Sequence, residues 1–130
     1  MIDPATEAAV RQFLDRFTSG AEGGDTEALG NCVAEVFIAA DANAARAVPR
    51  SAFLSAVPRR RQMFADAGVG RAVLDSHTVQ LLDDHHLLVR TEWTAPRVDG
   101  SEPLHLSSSF LLRRDGDVLT ALVYLNHRGL

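Results

Sequence analysis

Four ionisable side chains at alternate positions of two neighbouring segments, Asp75, His77, Arg90 and Glu92, are the residues whose types and spacing first suggest chemistry. If segments 71–82 and 85–96 pair around Asp83-Asp84, His77 stands opposite Arg90 and Asp75 opposite Glu92, on one face. Cross-strand opposite charges are ordinary sheet stabilisers, so the expectation is an exposed or interfacial ion-pair patch. His85-His86 lies in a turn, where adjacent side chains diverge, and His77, His105 and His127 have no partner at ligand spacing. No metal site is therefore expected. Ser107-Ser108-Ser109 lacks the glycine-flanked elbow of a hydrolase nucleophile and reads as polar strand filling, with ligand hydrogen bonding as its second use. Asp41, followed by Ala42 and Asn43, has turn chemistry.

Helices come first among the elements that must position these groups. Asp3 and Pro4 suit a helix start, and Val10, Phe13, Leu14 and Phe17 recur at helical spacing as far as Ser19. Gly20 and the segment 21–24 break that helix, and Asp25 restarts one expected to reach Glu35. Residues 36–40 and 46–48 suit a short hairpin around Asp41, and a third helix opens at Ser51 and ends at Gly68, with Pro58 expected to kink or divide it. From Gly70 the pattern alternates, and 71–82, 85–96, 104–113 and 118–127 read as four antiparallel strands.

A two-residue turn at Asp115-Gly116 would pair Phe110 with Ala121, Ser108 with Val123 and Leu104 with His127 on an apolar face toward the helices. Tyr124 and Asn126 would then point outward, making Tyr124 an interface residue, and a one-residue bulge would exchange the faces. Trp93 falls on the more apolar side of its own pairing.

At 130 residues the chain is expected to form a single domain spanning 1–130. Its 13 basic residues are all arginine, and its net charge of −4 argues against a general nucleic-acid binder. The run Arg59-Arg60-Arg61 is expected to be a solvated helix face. Cys32 has no second thiol for a disulfide and suits a small buried hydrophobe. No apolar stretch approaches the ~20 residues of a bilayer span and no signal peptide is legible, so a cytoplasmic location without membrane contact is expected.

The order helix, glycine turn, helix, short hairpin, helix and four long strands resembles the nuclear transport factor 2-like superfamily, also called SnoaL-like or cystatin-like. The local matches are residues 24–29 opening the second helix, 49–54 entering the third, and 113–116 leading into the last strand. The resemblance implies an α+β fold: a curved antiparallel sheet wrapped round three N-terminal helices as a cone-shaped half barrel. It further implies a pocket between sheet and helices and a homodimer through the sheet.

Members include ketosteroid isomerases, polyketide cyclases, dehydratases and epoxide hydrolases beside pure binders, and fold alone does not choose among them. The isomerases' pattern offers Asp41 as the nearest base, but Phe13 and Phe17 stand where a tyrosine belongs and Ser107 to Ser109 where an acid belongs. Arg90 and Glu92 have the epoxide-hydrolase spacing, yet Asn126 replaces the second acid. The leading expectation is an apolar pocket for a small hydrophobic molecule, lined by Trp93 and Phe110, with Ser108, His127 and Asp41 as polar contacts and no cofactor. Cofactor-independent acid–base catalysis and a purely structural dimerisation module are the alternatives.

Overall fold

A computed structural model describes residues 2–22 and 25–129. The glycine break therefore lies partly outside the described residues, at Gly23 and Gly24. Helix α1 runs Pro4–Ala21, α2 Thr26–Gly30 and α3 Arg50–Asp66; the strands are β1 Val33–Ala40, β2 Ala45–Pro49, β3 Val73–Leu81, β4 His86–Ala95, β5 Leu104–Asp115 and β6 Val118–Arg128. They form one curved, unclosed sheet in the order β2-β1-β6-β5-β4-β3. The α+β expectation therefore holds. All neighbours are antiparallel except β1 and β6, which run parallel.

Local chemistry explains the helix ends. The Asp3 carboxylate accepts from the Thr6 backbone N–H at 2.6 Å, with Pro4 in the first turn, and that bond holds Asp3 below the usual carboxylate range. Asp25 caps α2 in the same way through the Ala28 N–H. Helix α2 stops at Gly30 instead of reaching Glu35, because Val33 begins a strand that must reach β6; the Ala121 N–H donates to the Cys32 carbonyl at 2.7 Å. Cys32 is buried, and burial pushes its thiol up to about 11. Pro58 does not divide α3, which continues through it as one helix.

Bulges decide which side chains face the helices. The last hairpin turns through Gly116-Asp117, with Asp115 paired to Val118 and Gly116 at φ 63°, the left-handed conformation a two-residue hairpin asks of its first residue. The register moves by two relative to a turn at Asp115-Gly116, which leaves the faces unchanged. Between Leu112↔Ala121 and Leu111↔Val123 the residue Leu122 has no partner. Side chains alternate along a strand, so this one extra residue brings Tyr124 opposite Phe110 and sends Val123 and Leu125 to the convex side; a second unpaired residue, His127, precedes Arg128, which pairs with Ser107. On β3 the turn-end register Leu81↔Leu87 sets His77 opposite Thr91 instead of Arg90, and a bulge at Asp75 then brings Leu74 opposite Trp93.

The concave face is ordered in rows that cross the strands. Leu81, Leu87, Leu112, Ala121 and Val33 form an apolar row; Val79, Val89, Phe110, Tyr124 and Ala39 form the next. His77, Thr91, Ser108 and Asn126 form a polar row, and Leu74, Trp93 and Leu106 lie beyond it. The core sits between the first two rows and the inner faces of α1 and α2, centred on Val10, Phe13, Leu14, Leu29 and Phe37.

Helices α1 and α2 meet at Gly20, where a Cβ would overlap the Cβ of Leu29 and stand 3.1 Å from the Asp25 carbonyl oxygen. Neither is the end of a flexible side chain, so one helix must shift. Gly20→Ala is expected to lower stability by about 1–3 kcal/mol, the usual cost of overpacking, read as a lower urea midpoint at unchanged slope.

Candidate functional site

Beyond the core, the sheet and helices diverge to leave a cavity of about 400 Å³. Helix α1 contributes Phe17, α3 contributes Arg60 and Phe64, and the sheet contributes Trp93, Phe110 and Tyr124. The inner wall is an aromatic cluster. Phe110 and Tyr124 stack with centroids 5.1 Å apart, and Phe17 meets both edge-on at 5.0 and 5.5 Å. The residues pair across β5 and β6, so their stacking follows from the Leu122 bulge.

The floor beside this cluster is the polar row. Thr91 is fully buried; its hydroxyl donates to the Ser108 carbonyl at 3.0 Å, lies 2.8 Å from the Ser108 hydroxyl, and accepts from the Trp93 indole N–H at 2.8 Å. One hydroxyl thus fixes the Trp93 ring and joins it to Ser108. Asn126 lines the cavity next to Ser108, its partner across β5 and β6.

The mouth carries charge of one dominant sign. Arg60, Arg61, Arg71 and Arg128 line it against one carboxylate, Glu22, which Arg71 approaches at 3.5 Å. Arg60 is half-buried, donates to the Tyr124 hydroxyl at 3.3 Å and holds its guanidinium 5.6 Å from the Phe64 ring centre. The run 59–61 is therefore not a uniform solvated face: Arg60 and Arg61 line the cavity, and Arg59 does not.

Three of the five residues singled out in the sequence, Trp93, Ser108 and Phe110, line this cavity. Asp41 and His127 lie elsewhere. Asp41 is exposed in the β1–β2 turn, accepting from the Asn43 and Ala44 backbone N–H groups, which hold its carboxyl below the usual range. His127 is turned outward and bonds the Ser109 hydroxyl at 2.7 Å. Residues the sequence reading missed are Tyr124, Asn126 and Arg60; the first two were hidden by a bulge that local pattern does not announce, the third by its place in a charged run.

The quartet of charges does not assemble either. His77 points inward to the Glu7 carboxylate on α1 at 2.8 Å, Arg90 and Glu92 form an exposed pair at 3.3 Å, and Asp75 accepts from the Thr94 hydroxyl. Among the described residues no group of three or more histidine, cysteine, aspartate or glutamate side chains is placed to hold a metal. No described helix is long and apolar enough to cross a membrane.

A family model described as NTF2-like protein (DUF6841) matches residues 4–128. Solved structures share the fold. Aln2 from a Streptomyces species superposes with a TM-score of 0.74 at 18% identity, covering 98% of this chain and 93% of that one. An NTF2-like protein with a cystatin-like fold from Novosphingobium aromaticivorans gives 0.71 at 22% identity, covering 98% and 90%. A cystatin-fold protein from Nostoc punctiforme gives 0.73 at 8%, covering 97% and 92%. Among curated proteins none matches the sequence.

Thr91→Val keeps the shape but strands the Trp93 indole N–H and the Ser108 hydroxyl. It is expected to cost about 1–3 kcal/mol in urea denaturation and to change the emission of Trp93, the single tryptophan. Thr91→Ser, which retains the hydroxyl, should keep the wild-type emission.

Proposed function

The chain belongs to the NTF2-like family DUF6841 over residues 4–128, and from that premise we propose that its cone is a binding chamber for a small hydrophobic molecule. The observation that carries this reading is the cavity of about 400 Å³ walled by Phe17, Phe64, Trp93, Phe110 and Tyr124, a size and lining suited to a ligand of a few rings. Ser108 and Asn126 supply hydrogen-bonding groups on the floor, enough to orient a ligand without dominating its affinity.

The acid–base alternative has less to draw on. The one carboxylate among the described lining residues is Glu22, at the mouth and paired with Arg71, and His77 is engaged by Glu7 outside the lining. The proposal is therefore binding without turnover. Titration with 2-naphthalenemethanol is expected to raise the melting temperature with the logarithm of its concentration above Kd, equivalent to about 2.7 kcal/mol at one hundred times Kd. A series of apolar one- to three-ring compounds that never moves the melting temperature would sink the reading.

A second reading concerns self-association through the convex face. Leu88, Leu111, Val123 and Ile38 are paired in succession across β4, β5, β6 and β1, forming an unbroken apolar row with Ile38 39% exposed. A row of this kind on the open side of a sheet suits a second copy of the same surface. Light scattering is expected to give the mass of a dimer, and Val123→Glu that of a monomer. A wild-type monomer at micromolar concentration would refute the dimer.

A further inference from the structure

The mouth of the chamber carries an electrostatic asymmetry that an apolar ligand alone does not use. The chain has a net charge of −4, yet the cavity lining holds four arginines against one glutamate. Arg71 is the arginine that glutamate neutralises, and the ion pairs among the described residues include neither Arg60, Arg61 nor Arg128.

Arg60 is the decisive member. An arginine with no carboxylate partner ordinarily extends its head into water, but this one is half-buried, held toward the cavity by the Tyr124 hydroxyl at 3.3 Å and by the face of Phe64. A guanidinium cannot discharge by losing a proton. Holding it away from full hydration is compensated when an anion enters the same low-dielectric space.

Resting on the chamber reading above, we propose that the ligand is an amphipathic anion. Its flat apolar body lies against Phe110, Tyr124 and Trp93, and its carboxylate lies at the mouth between Arg60 and Arg128. Tyr124 joins the two halves of the site, since its ring belongs to the apolar wall and its hydroxyl braces Arg60. A planar carboxylate matches the fork of a guanidinium through two parallel hydrogen bonds. The aromatic cluster ends where that fork begins.

Calorimetric titration of the intact protein with 2-naphthoate, 2-naphthalenemethanol and 2-naphthyl phosphate separates the possibilities. At low salt 2-naphthoate is expected to bind about tenfold or more tighter than the neutral alcohol, with the gap narrowing as salt is raised. Arg60→Gln should abolish most of that gap, and Arg59→Gln, at a neighbouring position outside the cavity, should preserve it.

Equal affinity for naphthoate and the alcohol would overturn the anion proposal while leaving the apolar chamber intact. Binding of neither would overturn both. A gap unchanged in Arg60→Gln and in Arg128→Gln, with both variants folded by circular dichroism, would remove these arginines from the site. A clear preference for the phosphate would replace the carboxylate assignment.

Discussion

One unpaired residue, Leu122, sets the inside and outside of the chamber. Side chains along a strand alternate with a period of two, so a single extra residue inverts everything beyond it. Ahead of the bulge Leu119 and Ala121 are buried in the core; beyond it Tyr124 and Asn126 line the cavity. Without it Val123 and Leu125 would occupy the concave side, and the cavity would lose its tyrosine and its amide. The apolar row on the convex face has the same cause, because Val123 joins Leu111 and Ile38 there.

Around that constraint the packing changes character steadily from core to mouth. Phe110 is the hub, meeting Phe13 and Phe17 edge-on and Tyr124 face to face. On its core side the neighbouring row is wholly aliphatic, and on its other side Thr91 and Ser108 satisfy one another through hydrogen bonds. Buried polar groups arranged in a mutually bonded row cost little and fix geometry. Helix α1 is secured at both edges of the arrangement: Glu7 meets His77 on β3, and Arg114 on β5 donates to the Thr6 hydroxyl at 2.8 Å. The aromatic wall can therefore face open space without collapsing into it.

Much of this was legible in the sequence, and the reasons differ by element. The helical spacing of Val10, Phe13, Leu14 and Phe17 and the alternation after Gly70 are periodic signals that burial imposes directly. Trp93, Ser108 and Phe110 keep the faces that alternation predicts because β4 and β5 pair without a bulge. Bulges at Asp75 and Leu122 left no comparable mark, since a bulged residue needs neither glycine nor an unusual side chain. The true turn, Gly116-Asp117, differed from the expected one by a single residue, a choice that depends on where Gly116 adopts positive φ. The parallel contact of β1 with β6 joins segments far apart in the chain, and no local pattern encodes it.

That parallel contact also governs the order in which the molecule can be assembled. Strand β6 follows the other five described strands in sequence, yet it lies inside the sheet, between β5 and β1. During synthesis the helices with the β1–β2 hairpin and the β3–β5 meander emerge as two pieces, each with a strand edge exposed where β6 will later insert. Such edges are the surfaces on which nascent chains mispair, and contacts between distant segments form slowly because a long loop must close first. The chamber is thus complete only when the strand carrying Tyr124 and Arg128 lies between the two halves.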